Sequence, residues 1–436
     1  MAINNSKVNI LTEVLNLGKF GVRLGLDATA RLLADLGNPH LNLPLVHLAG
    51  TNGKGSTGAM LEAIVREAGY KVIYYTSPHL EKINERFRLN TQPISDGELI
   101  LWLEKVWAQA GGNYTFFEFL TALAFAWMRH KRREGGLDLG ILETGMGGRF
   151  DSTNICSPLI TVITNVALDH QAYLGSTLTR IAEDKAGIIK PAVPLIHGVS
   201  APGRQIVEEA ARAARAPVMG LGREIRLRRG RDGFSLTGPG WAMKNLRTNM
   251  PGTHQPANAA LAAAAAFALR AHGFNIGPEH VRSGLCQVKW PGRLEKFQLE
   301  GIDIWLDGAH NPAAAVVLRK SLAHLRPGAL IMVLGIMADK NLSAILKILM
   351  PAALRVIFTQ PDCQRAAPAS CLAAVAKTVK TLRPESDAWL VEADLGKAVQ
   401  LALNLAQSLK GQILISGSLF TVGAARSWLI KKKAEK

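Results

Sequence analysis

An apolar run at residues 43–49 leads into Gly50-Thr51-Asn52-Gly53-Lys54-Gly55-Ser56, and a helical pattern at 56–68 and a second apolar run at 72–75 follow. No other stretch limits the fold as strongly. Strand, glycine-rich turn, helix and strand in this order bring backbone N–H groups to a helix N-terminus, where phosphate binds. Gly50, Gly53 and Gly55 let the backbone approach a ligand, Lys54 carries a charge to phosphate oxygens, and the hydroxyl of Ser56 or Thr57 can reach a metal. The spacing is not that of the usual P-loop: the first glycine stands one residue nearer, and Gly55 separates the lysine from the hydroxyl. A GxxG turn alone reads as an ordinary tight turn. Lysine, hydroxyl and the flanking βαβ pattern together point to a nucleotide.

The same alternation runs along most of the chain. Runs at 43–49, 72–75, 137–143 and 159–165 read as buried parallel strands, with helices such as 115–130 between them, which predicts a doubly wound α/β domain. From about 202 to 251, short alternating runs and many glycines predict a small antiparallel insertion, and a helical segment at 258–271 follows. Val288-Lys289-Trp290-Pro291-Gly292-Arg293 breaks the pattern. We place the first domain at 1–288, an interdomain linker at 289–296, and a second, Rossmann-like α/β domain at 297–436, with strands expected at 302–306, 329–334, 356–359 and 413–416. A chain of 436 residues is long enough for two cores. Residues 431–436 read as a frayed basic tail.

Composition narrows the function classes. Hydrophobic content of 48% with 19% charged residues describes a globular chain. Cys156, Cys286, Cys363 and Cys371 form no CxxC, so neither a zinc site nor a disulfide framework is indicated, and a reducing cytoplasm fits. The start MAINNSKVNILTEVL lacks the features of a signal peptide. The apolar run 257–269 is too short for a bilayer and reads as a packed helix, so no membrane partner is expected. A formal charge of +17 suits either nucleic acid or small polyanions drawn to a cleft. The local cluster Arg226-Leu227-Arg228-Arg229-Gly230-Arg231 alternates with Ile225, Phe234 and Leu236, which reads as an edge hairpin with a solvated basic face. No nucleic-acid-binding motif or interleaved aromatic residue accompanies it, and no nucleic-acid partner is expected.

Ligands in open α/β sheets bind beyond the carboxyl ends of the strands. The glycine-rich loop follows the first predicted strand and Ser77-Pro78-His79-Leu80 the second; Glu143 closes the third and runs into Thr144-Gly145-Met146-Gly147-Gly148-Arg149, and Asp169-His170 follow the fourth. A hydroxyl, a carboxylate and an imidazole on one rim, from Ser77, Glu143 and His170, could complete the shell of a hard divalent cation that also takes water and phosphate oxygens.

These segments resemble the folylpolyglutamate synthase and dihydrofolate synthase enzymes, relatives of the Mur ligases. The resemblance runs nearly end to end, through residues 48–57, 76–80, 143–151, 168–170 and 184–190, then Gly252-Thr253-His254-Gln255 with Asn258, Pro291-Gly292-Arg293, and Asp307-Gly308-Ala309-His310-Asn311-Pro312. Departures are small: Thr144, Met146, Ser152 and Asp184 stand where the family more often has Val, Leu, Ala and Glu.

The resemblance implies an ATP-dependent amide ligase that adds L-glutamate to dihydropteroate or to folates through an acyl phosphate. It implies that Gly50, Thr51, Asn52, Gly53, Lys54, Gly55, Ser56 and Thr57 hold the ATP phosphates, that Asn258, Arg293 and Asp307 contact the nucleotide, and that Ser77, Glu143 and His170 serve Mg2+. Lys185 matches a lysine that is carbamylated in the family, and a monovalent cation also belongs to the family's requirements. Thr115, Phe117, Asp151 and Ser152 match the region lining the pteridine site; His310 matches a histidine near the incoming glutamate, with Ser418 a further candidate there. Lys54, Lys185 and His310 are the expected catalytic residues. ATP gripped by both domains, closure over the acyl phosphate and a monomeric enzyme are expected. A Mur-type peptide ligase is the enzymatic alternative, disfavoured because the loop begins at residue 50 and leaves no room for a UDP-sugar domain. A basic nucleic-acid-binding ATPase is the remote one.

Overall fold

In the computed structural model, which describes residues 3–21, 23–323, 328–379 and 389–435, the first apolar runs become neighbouring strands of one sheet. These are β1 (Leu45–Ala49), β2 (Val72–Tyr75), β3 (Phe87–Leu89), β4 (Gln92–Pro93), β5 (Leu139–Glu143), β6 (Ile160–Ile163), β7 (Leu195–His197) and β8 (Val218–Gly220), in the order β4-β3-β2-β5-β1-β6-β7-β8. From β2 to β8 neighbours are parallel; β3 and β4 add an antiparallel edge. Every residue of β1, β2, β5 and β6 is buried. Helices cover both faces of such a sheet, which is why these strands are continuous apolar runs without alternation. The chain leaves β1 for one side of the sheet and later returns to the other, so the crevice beyond β1 is the topological switch point.

The helix expected at 115–130 spans Phe116–Arg133. Thr115 caps it by accepting from Glu118 N, Glu118 reaches back to Thr115 N, and the last turn is basic. The glycine-rich loop opens the helix Lys54–Glu67, and the helix Pro278–Gln287 packs on it at Gly284, where an added Cβ would stand 2.6 Å from the backbone N and Cα of Ile64.

The antiparallel insertion is narrower than the range 202–251. Residues Gly203–Ala213 are helical with Val207 and Ala211 buried one turn apart, and β8 joins the parallel sheet. Only β9 (Arg226–Gly230), β10 (Gly233–Gly238) and β11 (Trp241–Leu246) form the separate three-stranded sheet. Phe234, Leu236, Met243 and Leu246 are buried there, while Arg226, Arg228 and Arg229 lie exposed on its edge strand. The helical segment predicted at 258–271 is Gln255–Ala268, followed by a 3-10 turn.

The second sheet contains β12 (Arg293–Leu299), β13 (Ile302–Asp307), β14 (Leu330–Leu334), β15 (Arg355–Phe358), β16 (Trp389–Val391) and β17 (Gln412–Ser416), ordered β12-β13-β17-β14-β15-β16. Only β12 runs antiparallel, joined to β13 through Glu300 and Gly301, both at positive φ as a two-residue hairpin turn requires. Residues 293–296, expected in the linker, are the start of β12. Lys431, Lys432 and Lys433, expected to fray, lie in the last turn of the helix Leu419–Ala434; Lys436 lies outside the described residues.

The chain divides into two compact units, Met1–Ala167, Gln171–Asn249 and Pro256–Val288 in one, and Leu168–His170, Met250–Gln255 and Lys289–Lys436 in the other. Two short segments from before residue 288 therefore count with the second unit. All four cysteines are free thiols, and no helix among the described residues is long and apolar enough to cross a membrane.

The glycine contact yields a paired prediction. Gly284→Ala forces two helix backbones apart and should cost about 1–3 kcal/mol, read as a lower urea midpoint. Gly97→Ala, in an open helical position with nothing within 4 Å of its Cβ, should instead gain roughly 0.5–1 kcal/mol.

Candidate active site

The loop after β1 is shaped by the residues that leave β6. Asn165 makes a two-bond amide pair with Asn52: Asn52 N donates to Asn165 Oδ1 at 2.9 Å and Asn165 Nδ2 donates to Asn52 O at 3.0 Å. Thr164 Oγ1 donates to the same carbonyl at 2.6 Å. The Thr51 hydroxyl donates to Ala167 O and accepts from Ala167 N. Gly50 has φ 149°, and a Cβ there would stand 1.8 Å from Thr164 Oγ1. Gly53, at φ 83°, caps the helix Lys54–Glu67; its Cβ would stand 2.6 Å from the buried Asn258 side chain. Lys54 Nζ donates to Gly50 O at 3.0 Å, folded across the loop. Gly55, Ser56 and Thr57 are buried, and Thr57 Oγ1 has no hydrogen-bond partner among the described residues. A helix N-terminus of unspent N–H groups, a lysine over it and an orphaned hydroxyl behind it fit a nucleotide phosphate with a divalent cation.

Glu143 stands level with Leu48, one strand away. Tyr74 Oη donates to Glu143 Oε2 at 2.9 Å, and Thr76 Oγ1 donates to the same oxygen. Both donors fall on Oε2, which leaves the other carboxylate oxygen open to a cation. Tyr74 in turn lies against Gly58 of the loop helix, where a Cβ would sit 2.3 Å from its hydroxyl. Burial, reinforced by Glu143, pushes the Tyr74 phenol well above its ordinary range, so it acts as a donor. Ser77, half-buried, follows on the same strand exit. His170, the third expected metal residue, counts with the second unit and has φ 49°. Among the described residues no three His, Cys, Asp or Glu side chains cluster to hold a metal; Mg2+ bound through one or two protein oxygens plus phosphate and water needs no such cluster.

The loop after β5 packs on the helix Leu178–Ala186. An added Cβ on Gly148 would meet Asp184 O and Lys185 Cα, each at 2.9 Å, and Arg149 N donates to Asp184 O. Lys185 is 2% exposed. Phe117 lies flat on Gly145 and 6.2 Å from the Tyr75 ring, placing the aromatic candidate beside this loop. Asp151 accepts from Met146 N, Thr153 N and Thr153 Oγ1, so its carboxylate organises the loop from within. Burial raises its pKa against those hydrogen bonds. Ser152 is buried in the short 3-10 helix that follows, and the Thr115 hydroxyl is taken by the helix cap.

Sequence reasoning missed His47. It is buried in β1, and its Nε2 lies 2.8 Å from Thr153 Oγ1, which makes a relay from strand to loop through Thr153 to Asp151. Burial and the Lys190 charge lower its pKa to about 3. A histidine at a buried-strand position was the only signal.

In the second unit Asp307 accepts from Leu294 N at 3.0 Å and Ala309 N at 2.9 Å, and burial raises its pKa against the charge of Arg293. Arg293 pairs with it in strand register, and its guanidinium lies against Gly308. The His310 ring reaches Gly308 O from Nδ1 at 2.9 Å and Asp169 Oδ2 from Nε2 at 3.4 Å. Asp169 also accepts from Lys340 Nζ at 2.7 Å and Asn311 Nδ2 at 2.9 Å. Burial would raise Asp169, but the His310 hydrogen bond and the nearby histidine and lysine charges hold it well below the usual carboxylate range. Lys340 was invisible from sequence because only the fold brings it to Asp169. Ser418 caps the helix Leu419–Ala434, accepting from Thr421 N at 3.0 Å.

His47 gives a pH prediction. Its ring is neutral in the folded chain down to about pH 3 but protonates near 6.5 once unfolded. The unfolded state then binds the extra proton, so stability falls as pH drops from about 6.5 toward 3. His47→Gln, which keeps a donor toward Thr153, should show a shallower acid limb in unfolding measured across that range. His79 and His197, lowered to about 4 by burial, keep their share of the slope.

Comparison with known proteins assigns the two units. Residues 48–266 match the Mur ligase middle domain, and residues 292–419 match the Mur ligase glutamate ligase domain. The chain is 35% identical over 430 residues to the dihydrofolate synthase/folylpolyglutamate synthase of Bacillus subtilis, covering 94% of this chain and 96% of that protein. It superposes on the solved Escherichia coli enzyme in complex with DHPP and ADP with a TM-score of 0.86 at 27% identity, over 97% of this chain and 98% of that one. The Yersinia pestis bifunctional folylpolyglutamate synthase/dihydrofolate synthase, solved with AMPPNP and Mn ion, gives a TM-score of 0.84 at 28% identity over 97% and 98% of the two chains. The chain therefore belongs to the folylpolyglutamate synthase/dihydrofolate synthase family of Mur ligases.

Proposed function

We propose that this chain joins L-glutamate to dihydropteroate and to the γ-carboxylate of folyl-glutamates, using ATP to form an acyl phosphate. The observation that carries this reading is the loop of residues 50–57, clamped by Thr164 and Asn165, with the Glu143 carboxylate one strand away. The N–H groups at the start of the helix Lys54–Glu67 bind the ATP phosphates. Lys54 leaves Gly50 O for the phosphoryl oxygens, where charge accumulates as the acceptor carboxylate attacks the γ-phosphorus and the bond to ADP breaks. Ser77, Glu143 and the Thr57 hydroxyl would hold Mg2+ on the first unit, and it would supply positive charge for the phosphates; His170 is the metal position that the family resemblance gives to the second unit. Asn258, behind Gly53, holds the loop against the nucleotide, and Arg293 and Asp307 are the nucleotide positions that the family resemblance gives to the second unit.

The amine of glutamate then attacks the acyl carbon and phosphate leaves. His310 faces an acceptor at each ring nitrogen, Gly308 O and the Asp169 carboxylate. With both ring nitrogens engaged, His310 serves the glutamate side by positioning, as part of the Asp169 cluster, unless it leaves one of these acceptors when glutamate binds. Phe117, Asp151 and Ser152 line the pteridine side, with Thr115 and Asp151 acting through the cap and the loop they hold. Ser418, as a helix cap, shapes the glutamate side through backbone position. Lys185, buried against Gly148, is the residue for the carbamate. The monovalent cation rests on the family resemblance alone.

The test is incorporation of labelled L-glutamate with ATP and Mg2+, run with dihydropteroate and with tetrahydrofolate. Product with both is expected; product with neither overturns the reading. Lys54→Ala should lower turnover by roughly 100-fold or more. Asn165→Ala removes both bonds of the amide pair and should weaken binding of an ATP analogue roughly tenfold. For Lys185, carbon-13 NMR with labelled bicarbonate should show one carbamate signal that vanishes in Lys185→Ala; turnover near wild type in that variant would exclude the role.

A further inference from the structure

Arg86 is 7% exposed, yet no carboxylate lies within ion-pair distance of it among the described residues. Its Nε donates to His79 Nδ1 at 2.9 Å. Since the arginine must donate, His79 accepts at Nδ1 and carries its own proton at Nε2. The guanidinium also hydrogen-bonds the Tyr75 phenol, which leaves terminal N–H groups to spare, since each terminal nitrogen carries two. A buried cation with no carboxylate in contact is costly to keep, so a fold that keeps one has a use for it.

The surroundings say which anion fits. The guanidinium lies over the Phe116 ring, 5.2 Å from its centroid, and Phe117 adjoins the loop after β5. On the backbone side, Arg86 O accepts from Thr76 N, and Thr76 Oγ1 donates to Glu143. The Glu143 carboxylate acts on Arg86 through its charge from beyond ion-pair distance, and the neutral Tyr75 phenol through its hydrogen bond. The remaining N–H donors of the guanidinium fork and the His79 Nε2–H therefore adjoin an aromatic face and feel the charge of the carboxylate proposed for Mg2+. A flat aromatic acid ending in a carboxylate matches that sequence of surfaces: ring on Phe116 and Phe117, carboxylate on the fork.

We infer that Arg86, supported by His79, binds the reacting carboxylate of the pteridine-bearing acceptor and aims it at the phosphoryl group. This deepens the proposed function and rests on it. Arg86 contacts the substrate; His79 is a positioning residue that fixes the guanidinium plane and adds one donor.

The experiment compares two ligands, dihydropteroate and its carboxamide, which differ only at the group concerned. Equilibrium binding of each is measured to the full chain, to Arg86→Gln and to Arg86→Lys, with a fluorescent ATP analogue reporting that each variant is folded. Arg86→Gln should weaken dihydropteroate by about 10- to 100-fold, the scale of lost charge-assisted hydrogen bonds, and the carboxamide by less than about 3-fold. Arg86→Lys should fall between, because a point charge cannot make the fork. If Arg86→Gln does not bind the ATP analogue, His79→Gln answers instead, with a carboxylate-selective loss of about 3- to 10-fold. Equal weakening of the two ligands, or none, overturns the inference while leaving the ligase reading intact. A wild-type chain that binds neither ligand overturns both.

Discussion

The amide pair between Asn52 and Asn165 is the interaction on which the rest of this site depends. A glycine-rich loop has little conformational preference of its own, so its shape must be imposed. Here a strand on the far side of β1 imposes it, through Asn165, the Thr164 hydroxyl and the Thr51–Ala167 pair. Gly50 is obligatory because Thr164 occupies the place of its Cβ. The phosphate loop is thus a joint product of β1 and β6, two strands separated by more than a hundred residues, and the topology that makes them neighbours is as much part of the site as Lys54.

A second theme is that carboxylates in this chain are set by their donors. Glu143, Asp151, Asp307 and Asp169 are all buried, and each is held by hydroxyls, backbone N–H groups or a lysine. The division of labour differs. Asp151 spends both oxygens on its loop, Asp307 spends one on β12 and one on the turn after β13, and Asp169 is paired with Lys340 and Asn311. Glu143 takes both its donors on one oxygen and keeps the other open. That asymmetry, more than burial or charge, separates the residue with free valence from those that build the frame.

Much of this was readable from the amino-acid order. The loop, the strands that surround it and the second sheet follow from continuous apolar runs and from glycine placement, since those properties are local. The helix Gly203–Ala213 and β8 were read as part of an irregular insertion, because a three-residue strand next to glycines has no periodicity to detect. β16 was not anticipated for the same reason: it has three residues, none of them fully buried. His47, Arg86 and Lys340 escaped attention as functional groups because their meaning lies in what is absent or present around them in space: a missing counter-ion, an inward-facing ring, a distant aspartate. The Thr115 and Ser418 hydroxyls show the converse. Their motif positions suggested ligand contacts, and local geometry adds a helix-cap role that the sequence reading did not name.

The membership of Leu168–His170 and Met250–Gln255 in the second unit has a consequence for how such a protein can be recombined. The chain passes between units after residues 167, 170, 249, 255 and 288, so the boundary is a lacing and not a seam. A chimera joined at residue 288 to the second half of a relative would place Asp169 from one parent beside the lysine, asparagine and histidine of the other. Lys340 is 7% exposed and takes its shortest ion pair from Asp169, so a parent lacking the matching aspartate would leave an ammonium buried without that partner. Exchange of the glutamate-handling half between lineages is therefore limited by three residues that sit more than a hundred positions upstream of the apparent junction.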